Sequence, residues 1–432
     1  MNRVGIAFAT VAAALGLYAP APATADVGGV WATTLEATQG FDHLSAFPNG
    51  VFYAQYLNTY MKSTDYGKTW TPMTRPPRQS EGSPGIRFAT PTIGWSVVGG
   101  GVGVEDTTTD YKAEIAKCGD LAELHRTTDG GATWQPVCVP RTRLLDDPYF
   151  GVSGSPLAVG RDGRTAMLVG QDISNREPSP KCSEDHGVIA TTRDGGAHWT
   201  RAALPTGWMD GFRSQVYDAN TMVHLAYKFR PYGDDGECIG DVTGLFLTRD
   251  GGKTWRRVHT CGAPDLCTSV AMVTPSRILL GRNDGTTLVS NDGGTTWNPG
   301  QRLFDLQWQP GIDSGNVDRH MFWAQAMSFA DATHGFASTR GSGTWRTDNG
   351  GKTWTQERSQ ECEYFLWGIG EIAAGSPTTA ITGGPHLIST RIDTPAPQVG
   401  CTPALPGNVP LDASVWQSGS QAISVTGLMR RL

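Results

Sequence analysis

The segment from residue 301 to residue 323 combines aromatic rings, carboxylates and bases at close spacing. Its candidate ligand-binding residues are Trp308, Asp313, Asp318, Arg319 and His320. An aromatic ring can stack on a sugar or a peptide, and neighbouring charged groups can hydrogen-bond to it. These residues are therefore candidates for contact with a ligand. The favoured interpretation of the segment is nevertheless that its acids are solvated and that Trp323 packs in the core.

Two further segments carry candidate polar groups. Asp234 and Asp235 lie in the sequence DDGE, whose oxygens could bind calcium, although an ordinary acidic turn is the favoured interpretation. Tyr149 ends a polar segment between two predicted strands and is a further candidate for ligand binding. We predict no metal site and no cofactor.

Motifs for nucleophilic and metal-dependent catalysis are incomplete. The sequence GVSGSP departs from the G-x-S-x-G spacing that exposes a nucleophilic serine, and no H-E-x-x-H zinc motif occurs. A glycosidase needs only two carboxylates at a suitable separation. That class of enzyme therefore remains an alternative.

A second set of acidic residues lies in a motif that occurs six times. Residues 127–134 read TTDGGATW, and similar sequences end at the other five tryptophans of the set. Counted back from the tryptophan, the third residue is always glycine and the seventh is always serine or threonine. The fifth residue is Asp65, Asp129, Asp194, Asp250, Asp292 or Asn349.

The motif has the composition of a tight turn between two strands. Aspartate and asparagine accept hydrogen bonds from nearby backbone N–H groups, and glycine tolerates positive φ. We predict that the six acids and amides are structural and that the tryptophan packs against a neighbouring sheet. An amide at Asn349 can still cap a turn, but it could not replace a catalytic carboxylate.

Two further strand-like segments precede each motif. Four antiparallel strands per repeat predict an all-β fold, namely a β-propeller of six to seven four-stranded blades, with seven favoured. The last unit lacks the motif. Its fourth strand could come from the N-terminal GGVWATTLE or from the C-terminal QAISVTG.

The repeated motif resembles the Asp-box, or BNR repeat, of sialidases, sortilin-type receptors, xyloglucan-active glycosidases and the photosystem II stability/assembly factor group. The longer repeat, such as FADATHGFASTRGSGTWRTDNGGKTW, is most similar to the assembly-factor group, which implies a non-catalytic binding propeller. Sialidases would imply three arginines that bind a carboxylate, the first in Arg-Ile-Pro before the first motif. This sequence contains no Arg-Ile-Pro.

The N-terminus is typical of an exported protein. Arg3, a run of apolar residues and an A-x-A site predict a signal peptide over residues 1–25, cleaved after Ala25. The propeller is expected over residues 26–392, followed by a Pro-rich extension over residues 393–432. The net charge of −6 gives no indication of a nucleic-acid partner, and no segment is long enough to span a membrane. We expect a secreted or periplasmic monomer.

The eight cysteines favour disulfides in such a protein. The favoured pairs are Cys118–Cys138, Cys238–Cys261 and Cys362–Cys401. Pairing of Cys261 with Cys267 and of Cys182 with Cys238 is an alternative, because sequence does not fix connectivity.

These features predict a binding or scaffold protein for a glycan or a protein ligand. The ligand is expected on the loops of the propeller face opposite the repeated motifs, because loops on a rigid scaffold often carry binding residues. The alternative is a glycoside hydrolase or another polysaccharide-active enzyme that uses carboxylates on that same face.

Overall fold

The computed structural model describes the greater part of the repeated region. The described residues are 17–18, 31–37, 41–56, 59–77, 85–97, 116–118, 124–139, 157–172, 186–232, 237–262, 265–303, 325–339, 343–358, 371–383, 387–391, 416–418 and 421–423.

Six of the described sheets have four antiparallel strands each, and in each sheet strands consecutive in the chain are neighbours. Two strands, β1 (Leu17–Tyr18) and β2 (Trp31–Ala37), precede them. Sheet 1 contains β3 (Phe41–Ala46), β4 (Phe52–Tyr56), β5 (Thr59–Ser63) and β6 (Thr71–Pro72). Sheet 2 contains β7 (Ile86–Phe88), β8 (Gly94–Val97), β9 (Leu124–Thr127) and β10 (Gln135–Val137). Sheet 3 contains β11 (Leu157–Val159), β12 (Ala166–Asp172), β13 (His186–Thr192) and β14 (Thr200–Ala203).

The next three sheets repeat the same arrangement. Sheet 4 contains β15 (Trp208–Val216), β16 (Met222–Tyr232), β17 (Glu237–Thr248) and β18 (Arg256–Gly262). Sheet 5 contains β19 (Cys267–Met272), β20 (Ile278–Arg282), β21 (Thr287–Ser290) and β22 (Asn298–Pro299). Sheet 6 contains β23 (Gln325–Phe329), β24 (Gly335–Thr339), β25 (Gly343–Thr347) and β26 (Thr355–Arg358). This all-β propeller agrees with the predicted fold class.

A five-stranded sheet joins the two ends of the repeated region, and we call it the closing sheet. It contains β27 (Glu371–Ser376), β28 (Thr379–Gly383) and β29 (Leu387–Arg391), followed by β2 and β1. The N-terminal strand β2 pairs with β29, so the N-terminus supplies the strand for which the sequence left two candidates. The C-terminal candidate instead forms a separate hairpin of β30 (Trp416–Ser418) and β31 (Gln421–Ile423).

The core is divided among the interfaces between adjacent sheets. Each cluster of buried apolar side chains combines residues of two neighbouring sheets, such as Phe246 of sheet 4 with Met167 of sheet 3. One cluster joins sheet 6 to the closing sheet through Phe336 and Ile372, and another joins the closing sheet to sheet 1. These contacts close the ring.

The six repeated motifs form the turns between the third and fourth strands, and we call these turns the corners. Two consecutive residues in each corner have positive φ, as with Gly130 at 75° and Gly131 at 89°. Glycine reaches this region without steric cost. Tyr66 takes the first of these places in sheet 1 at φ 63°, and its ring packs edge-on against Phe52.

Short hydrogen bonds hold each corner. In sheet 4, Asp250 Oδ1 accepts from the Thr254 N–H at 3.0 Å and Oδ2 accepts from the Thr254 hydroxyl at 2.6 Å. The Thr248 hydroxyl accepts from the Gly252 N–H at 3.0 Å. These bonds, led by that from the Thr254 hydroxyl, lower the pKa of Asp250 to about 2.

The sixth corner makes the same connections with an amide. Asn349 Oδ1 accepts from the Thr353 N–H at 3.0 Å, while its Nδ2 donates to the Thr353 hydroxyl at 2.7 Å. The Thr353 hydroxyl is therefore an acceptor, whereas the corresponding Thr254 hydroxyl of sheet 4 is a donor. No negative charge is needed to make the turn.

Each corner of sheets 2 to 6 is hydrogen-bonded to the turn between the first and second strands of its own sheet. In sheet 2 the Gly130 N–H donates to the Thr92 carbonyl at 2.8 Å, and in sheet 6 the Gly350 N–H donates to the Thr333 carbonyl at 2.7 Å. Both kinds of turn therefore lie on one face of the ring, which we call the corner face.

The corner tryptophans pack against the preceding sheet. Trp134 of sheet 2 lies in a cluster with Tyr53 and Tyr60 of sheet 1, and its indole N–H donates to the Thr74 carbonyl at 3.3 Å. Trp354 of sheet 6 packs with Leu279 of sheet 5. The corner thus positions the residue that joins two neighbouring sheets.

Two disulfides connect described residues. Cys118 is bonded to Cys138, which agrees with the favoured pair, and Cys261 is bonded to Cys267. The favoured Cys238–Cys261 pair is therefore wrong. Cys261 lies opposite Thr243 in the sheet. Cys238 precedes Thr243 by five residues, or about 16 Å along a strand, too far for a disulfide.

The other predicted cysteine pairings involve Cys182, Cys362 and Cys401, which lie outside the described residues. Among the described residues, no helix has the length and apolar character that crossing a membrane requires.

Substitution of Asp250 tests whether the corner needs a carboxylate. We expect Asp250→Asn to cost less than about 1 kcal/mol at pH 7, and Asp250→Ala to cost about 1–2 kcal/mol because it removes the capping oxygens. Urea unfolding of both variants measures the difference. Equal losses in the two variants would contradict the interpretation.

The same variants separate the charge of Asp250 from its hydrogen bonds. Because its pKa is lowered on folding to about 2, its ionised form stabilises the fold above about pH 4, and this contribution is lost as the pH falls through the folded pKa. We expect unfolding of Asp250→Asn to depend less on pH between about 4 and 2. Asn349→Asp is the matched control, which should gain this dependence.

The Cys261–Cys267 bond joins the outermost strand of sheet 4 to the innermost strand of sheet 5. We expect the double variant Cys261→Ser/Cys267→Ser to lose about 2 kcal/mol of stability in the chain-entropy description. The Cys118–Cys138 bond closes a longer loop. The matched Cys118→Ser/Cys138→Ser variant should therefore lose about 3 kcal/mol. Peptide mapping under non-reducing conditions checks the pairing, and recovery of a Cys238–Cys261 peptide would contradict it.

Candidate functional site

The innermost strands of sheets 1 to 6 and of the closing sheet surround a cavity of about 310 Å³ on the axis of the ring. We call it the central channel. The first strand of each of sheets 1 to 6, together with β27, contributes to its wall. Neighbouring innermost strands belong to different sheets, so the ladders of the sheets leave their inner edges unpaired.

Polar side chains of the wall hydrogen-bond to some of these inner edges. The Ser45 hydroxyl accepts from the Phe88 N–H at 3.2 Å, and the Ser328 hydroxyl accepts from the Ala374 N–H at 3.0 Å. Gln215 Oε1 accepts in the same way from the N–H of the next sheet's innermost strand. These three side chains already have partners in the protein, so their role in the wall is structural.

The charged residues of the described wall are arginines. Arg87, Arg161 and Arg213 line the channel, and the described lining includes no aspartate or glutamate. Arg87 lies in β7 and Arg213 in β15, while Arg161 lies in the turn after β11. The described wall is therefore positively charged.

Arg161 reaches across the end of the channel at the corner face. Its guanidinium donates to the Ala330 carbonyl at 2.9 Å and to the Phe329 carbonyl. The arginine belongs to sheet 3 and both acceptors belong to the end of β23 in sheet 6, on the other side of the ring. The side chain remains solvent-exposed.

The buried His224 is hydrogen-bonded to the half-buried Ser214 beside the channel. His224 Nδ1 lies 2.9 Å from the Ser214 oxygen, and Ser214 lines the channel. Complete burial lowers the pKa of His224 to about 3, so the imidazole is neutral near pH 7 and is a weak base. Nε2 has no hydrogen-bond partner among the described residues. A nucleophilic serine requires a stronger, oriented base, so the pair is a poor catalytic dyad.

Ser269 is a second buried polar residue of the wall. It is 1% exposed, and its hydroxyl has no hydrogen-bond partner among the described residues. Buried hydroxyls are usually hydrogen-bonded. The Ser269 oxygen is itself enclosed, so it does not face the open channel.

Metal-binding side chains come together at one place in the described chain. The ligand atoms of His259, Cys261 and Cys267 lie within 4.8 Å of one another. The two sulfurs, however, are bonded to each other, and metals bind the thiolate form of cysteine. With the disulfide intact, this cluster is structural.

The ligand-binding residues predicted from the sequence all lie outside the described residues. They are Trp308, Asp313, Asp318, Arg319, His320, Asp234, Asp235 and Tyr149. Their contact with a ligand stays a prediction. The corner acids and amide are described, and none of them lines the channel.

Sequence analysis missed the arginines of the channel wall. Asp162 caps the turn after the first strand in the same way as Asp218 in sheet 4 and Asp331 in sheet 6. The turn in sheet 3 is one residue longer, and the basic Arg161 before its capping acid was an available signal. It could not show that the side chain crosses the ring.

Comparison with known proteins gives partial similarity in sequence and broader similarity in fold. No family model matches the chain. It is 27% identical over 169 residues to the photosystem II assembly lipoprotein Ycf48 of Nostoc sp. (strain PCC 7120), which covers 37% of this chain and 48% of that protein. This chain is similar to Ycf48. It spans about half the length of the curated relatives of that name.

A further relative is described as an enzyme. A probable oligoxyloglucan-reducing end-specific xyloglucanase of Neosartorya fischeri is 23% identical over 238 residues, covering 50% of this chain and 26% of the enzyme. The match thus covers a larger share of Ycf48 (48%) than of the xyloglucanase (26%).

Two solved structures illustrate the shared fold. YCF48 bound to D1 peptide superposes with a TM-score of 0.49 at 16% identity, covering 84% of this chain and 94% of that chain. An oligogalacturonate lyase from Vibrio parahaemolyticus gives a TM-score of 0.50 at 7% identity, covering 83% and 91%. At these identities the likeness concerns the propeller fold alone.

Two of the serines in the wall, Ser45 and Ser269, allow a matched test of the channel. Ser269→Ala removes an unpaired buried hydroxyl, so we expect stability to be unchanged or raised by up to about 1 kcal/mol. Ser45→Ala leaves the Phe88 N–H without its acceptor and should cost about 1–3 kcal/mol. Urea unfolding of the two variants measures both effects. A large loss in Ser269→Ala would show that its hydroxyl stabilises the empty protein.

Proposed function

We propose that this protein is a non-catalytic binding propeller that holds a protein partner. The observation that carries the proposal is the composition of the described channel wall, with three arginines and no aspartate or glutamate. Hydrolysis of a glycosidic bond generally needs two carboxylates. A wall of this charge is better suited to holding an anionic group of a partner than to that chemistry.

The match to Ycf48 supports the same choice. That relative is described as an assembly lipoprotein, and the match covers 37% of this chain. Assembly of a complex calls for binding and release rather than for turnover of a substrate. We propose that the partner contacts the channel and the loops at the end away from the corner face.

We propose that the protein is exported, to the periplasm or the extracellular space, and acts as a monomer. The Cys118–Cys138 and Cys261–Cys267 disulfides fit an oxidising compartment. Cleavage after Ala25 would remove β1 but keep β2. The closing sheet would then have four strands, like the other sheets.

Screening of the mature protein against two panels tests this function. One panel contains glycans, scored for binding and for cleavage, and the other contains peptides of equal length that are acidic, neutral or basic. We expect acidic peptides to bind in a salt-dependent manner and no glycan to be cleaved, because the described wall is cationic. The basic peptides are the matched control.

Two outcomes of the screen would overturn the proposal. Cleavage of any glycan by the purified protein would establish an enzyme. Absence of binding by every class of peptide would remove the evidence for a protein partner.

A further inference from the structure

The disulfide between Cys261 and Cys267 lies beside a histidine, on the face of the ring opposite the corner face. Cys261 is near the end of β18 and Cys267 begins β19, so both lie at strand ends away from the corners. The ligand atoms of His259, Cys261 and Cys267 lie within 4.8 Å of one another. Two thiolates and an imidazole are ligands that Zn²⁺ prefers. Once its sulfurs are thiols, the cluster therefore contains the donor atoms of a zinc site.

The backbone positions these residues without help from the disulfide. His259 and Cys261 are two residues apart in β18, so their side chains project from the same face of the strand. The Cys267 N–H donates to the Thr243 hydroxyl at 3.0 Å, and Thr243 is the residue that pairs with Cys261 in sheet 4. These bonds do not involve the sulfurs. The two cysteine Cα atoms, 5.6 Å apart, therefore stay close when the sulfur–sulfur bond is broken.

The spacing and burial of the cluster suit a tetrahedral metal ion. In such a site, nitrogen and sulfur ligands lie about 3.5–3.8 Å from one another. Ligand atoms within 4.8 Å reach this spacing by small side-chain rotations. Both cysteines are buried, and two thiolates balance the double charge of a divalent ion. The metal site can therefore form without burying a net charge.

The imidazole of His259 is in the form that binds metals. Burial, together with the nearby charge of Arg282, lowers its pKa, so the ring is neutral near pH 7. The Trp297 ring lies against the imidazole, with ring centroids 4.7 Å apart. Arg282 also forms an ion pair with Asp265, so that carboxylate has a partner of its own. Three protein ligands leave the fourth position on the metal to water.

We propose that the reduced form of this cluster is a zinc site, with His259, Cys261 and Cys267 as its protein ligands. A dithiol reductant opens the disulfide by thiol–disulfide exchange. It gives two electrons and two protons, which convert the cysteines into thiols, and it closes a disulfide of its own. Zn²⁺ then displaces both thiol protons to solvent. The metal replaces the disulfide as the link between sheets 4 and 5. This inference is independent of the proposed function, which concerns the oxidised protein.

Cobalt(II) is the probe for this site, because its tetrahedral thiolate complexes are coloured. The mature protein is reduced with excess dithiol, desalted under nitrogen and titrated with CoCl₂ while the absorption spectrum is recorded. A thiol assay confirms the reduction. We expect visible d–d bands and a near-ultraviolet thiolate-to-cobalt band, both of which are lost when excess ZnCl₂ is added. The oxidised protein should give neither band, because metals bind the thiolate form of cysteine.

Substitutions assign the bands to this cluster. We expect His259→Gln to weaken cobalt binding at least about tenfold, because loss of even an outer hydrogen-bond partner of a metal ligand costs that much. Cys261→Ser/Cys267→Ser should abolish the thiolate band. Cys118→Ser/Cys138→Ser is the matched control and should leave the titration unchanged, because no third metal-binding side chain of the described residues joins that pair. Circular dichroism checks the fold of each reduced variant.

Thermal unfolding gives a second readout that needs no substitution. A ligand that binds the folded state alone raises the melting temperature. We expect Zn²⁺ to raise the melting temperature of the reduced protein and to leave that of the oxidised protein unchanged.

Four results would overturn the inference. They are unfolding of the protein on reduction, absence of the thiolate band from the reduced protein, persistence of that band in Cys261→Ser/Cys267→Ser, and equal cobalt affinity of His259→Gln and the unaltered protein. None of them bears on the peptide screen of the oxidised protein, so the proposed function would survive each one.

Discussion

The ring depends on a backbone reversal in which two consecutive residues adopt positive φ. At the six corners these angles range from 63° at Tyr66 to 94° at Gly196. Glycine occupies all but one of the twelve places, because a side chain is strained in this region. A hydroxyl and a carboxylate or amide then receive the N–H groups that the reversal leaves unpaired. The fourth strand can return along the third only because this turn is so tight.

The reversal also sets how the sheets pack. It places each corner tryptophan beside the preceding sheet, as with Trp134 beside Tyr53. Repeated around the ring, these contacts turn separate sheets into one body with a buried cluster at each interface. Neighbouring innermost strands then converge on the axis without pairing. Polar side chains such as Ser45 must hydrogen-bond to the exposed edges.

The channel follows from this convergence and carries a different chemistry from the corners. The corner carboxylates face solvent and use their oxygens within their own turns, so their abundance says little about a ligand. In the channel wall, the hydroxyls of Ser45 and Ser328 accept hydrogen bonds from the backbone of adjacent sheets. Arg161 donates to two carbonyls of sheet 6 and remains solvent-exposed. The corners therefore stabilise the fold, whereas the candidate site lies on the axis of the ring.

The sequence by itself determined the corners, the order of strands and the exchange of aspartate for asparagine at position 349. The corners are local features, because the hydrogen bonds that the hydroxyl and the carboxylate or amide of a corner accept from N–H groups come from residues within four positions. Tertiary structure decided that Trp31–Ala37 closes the ring, that Cys261 pairs with Cys267, and that Arg161 crosses the channel. Arg161 and Phe329 are separated by 168 residues. No spacing in the sequence encodes such a contact, since it exists only when the sheets have closed into a ring.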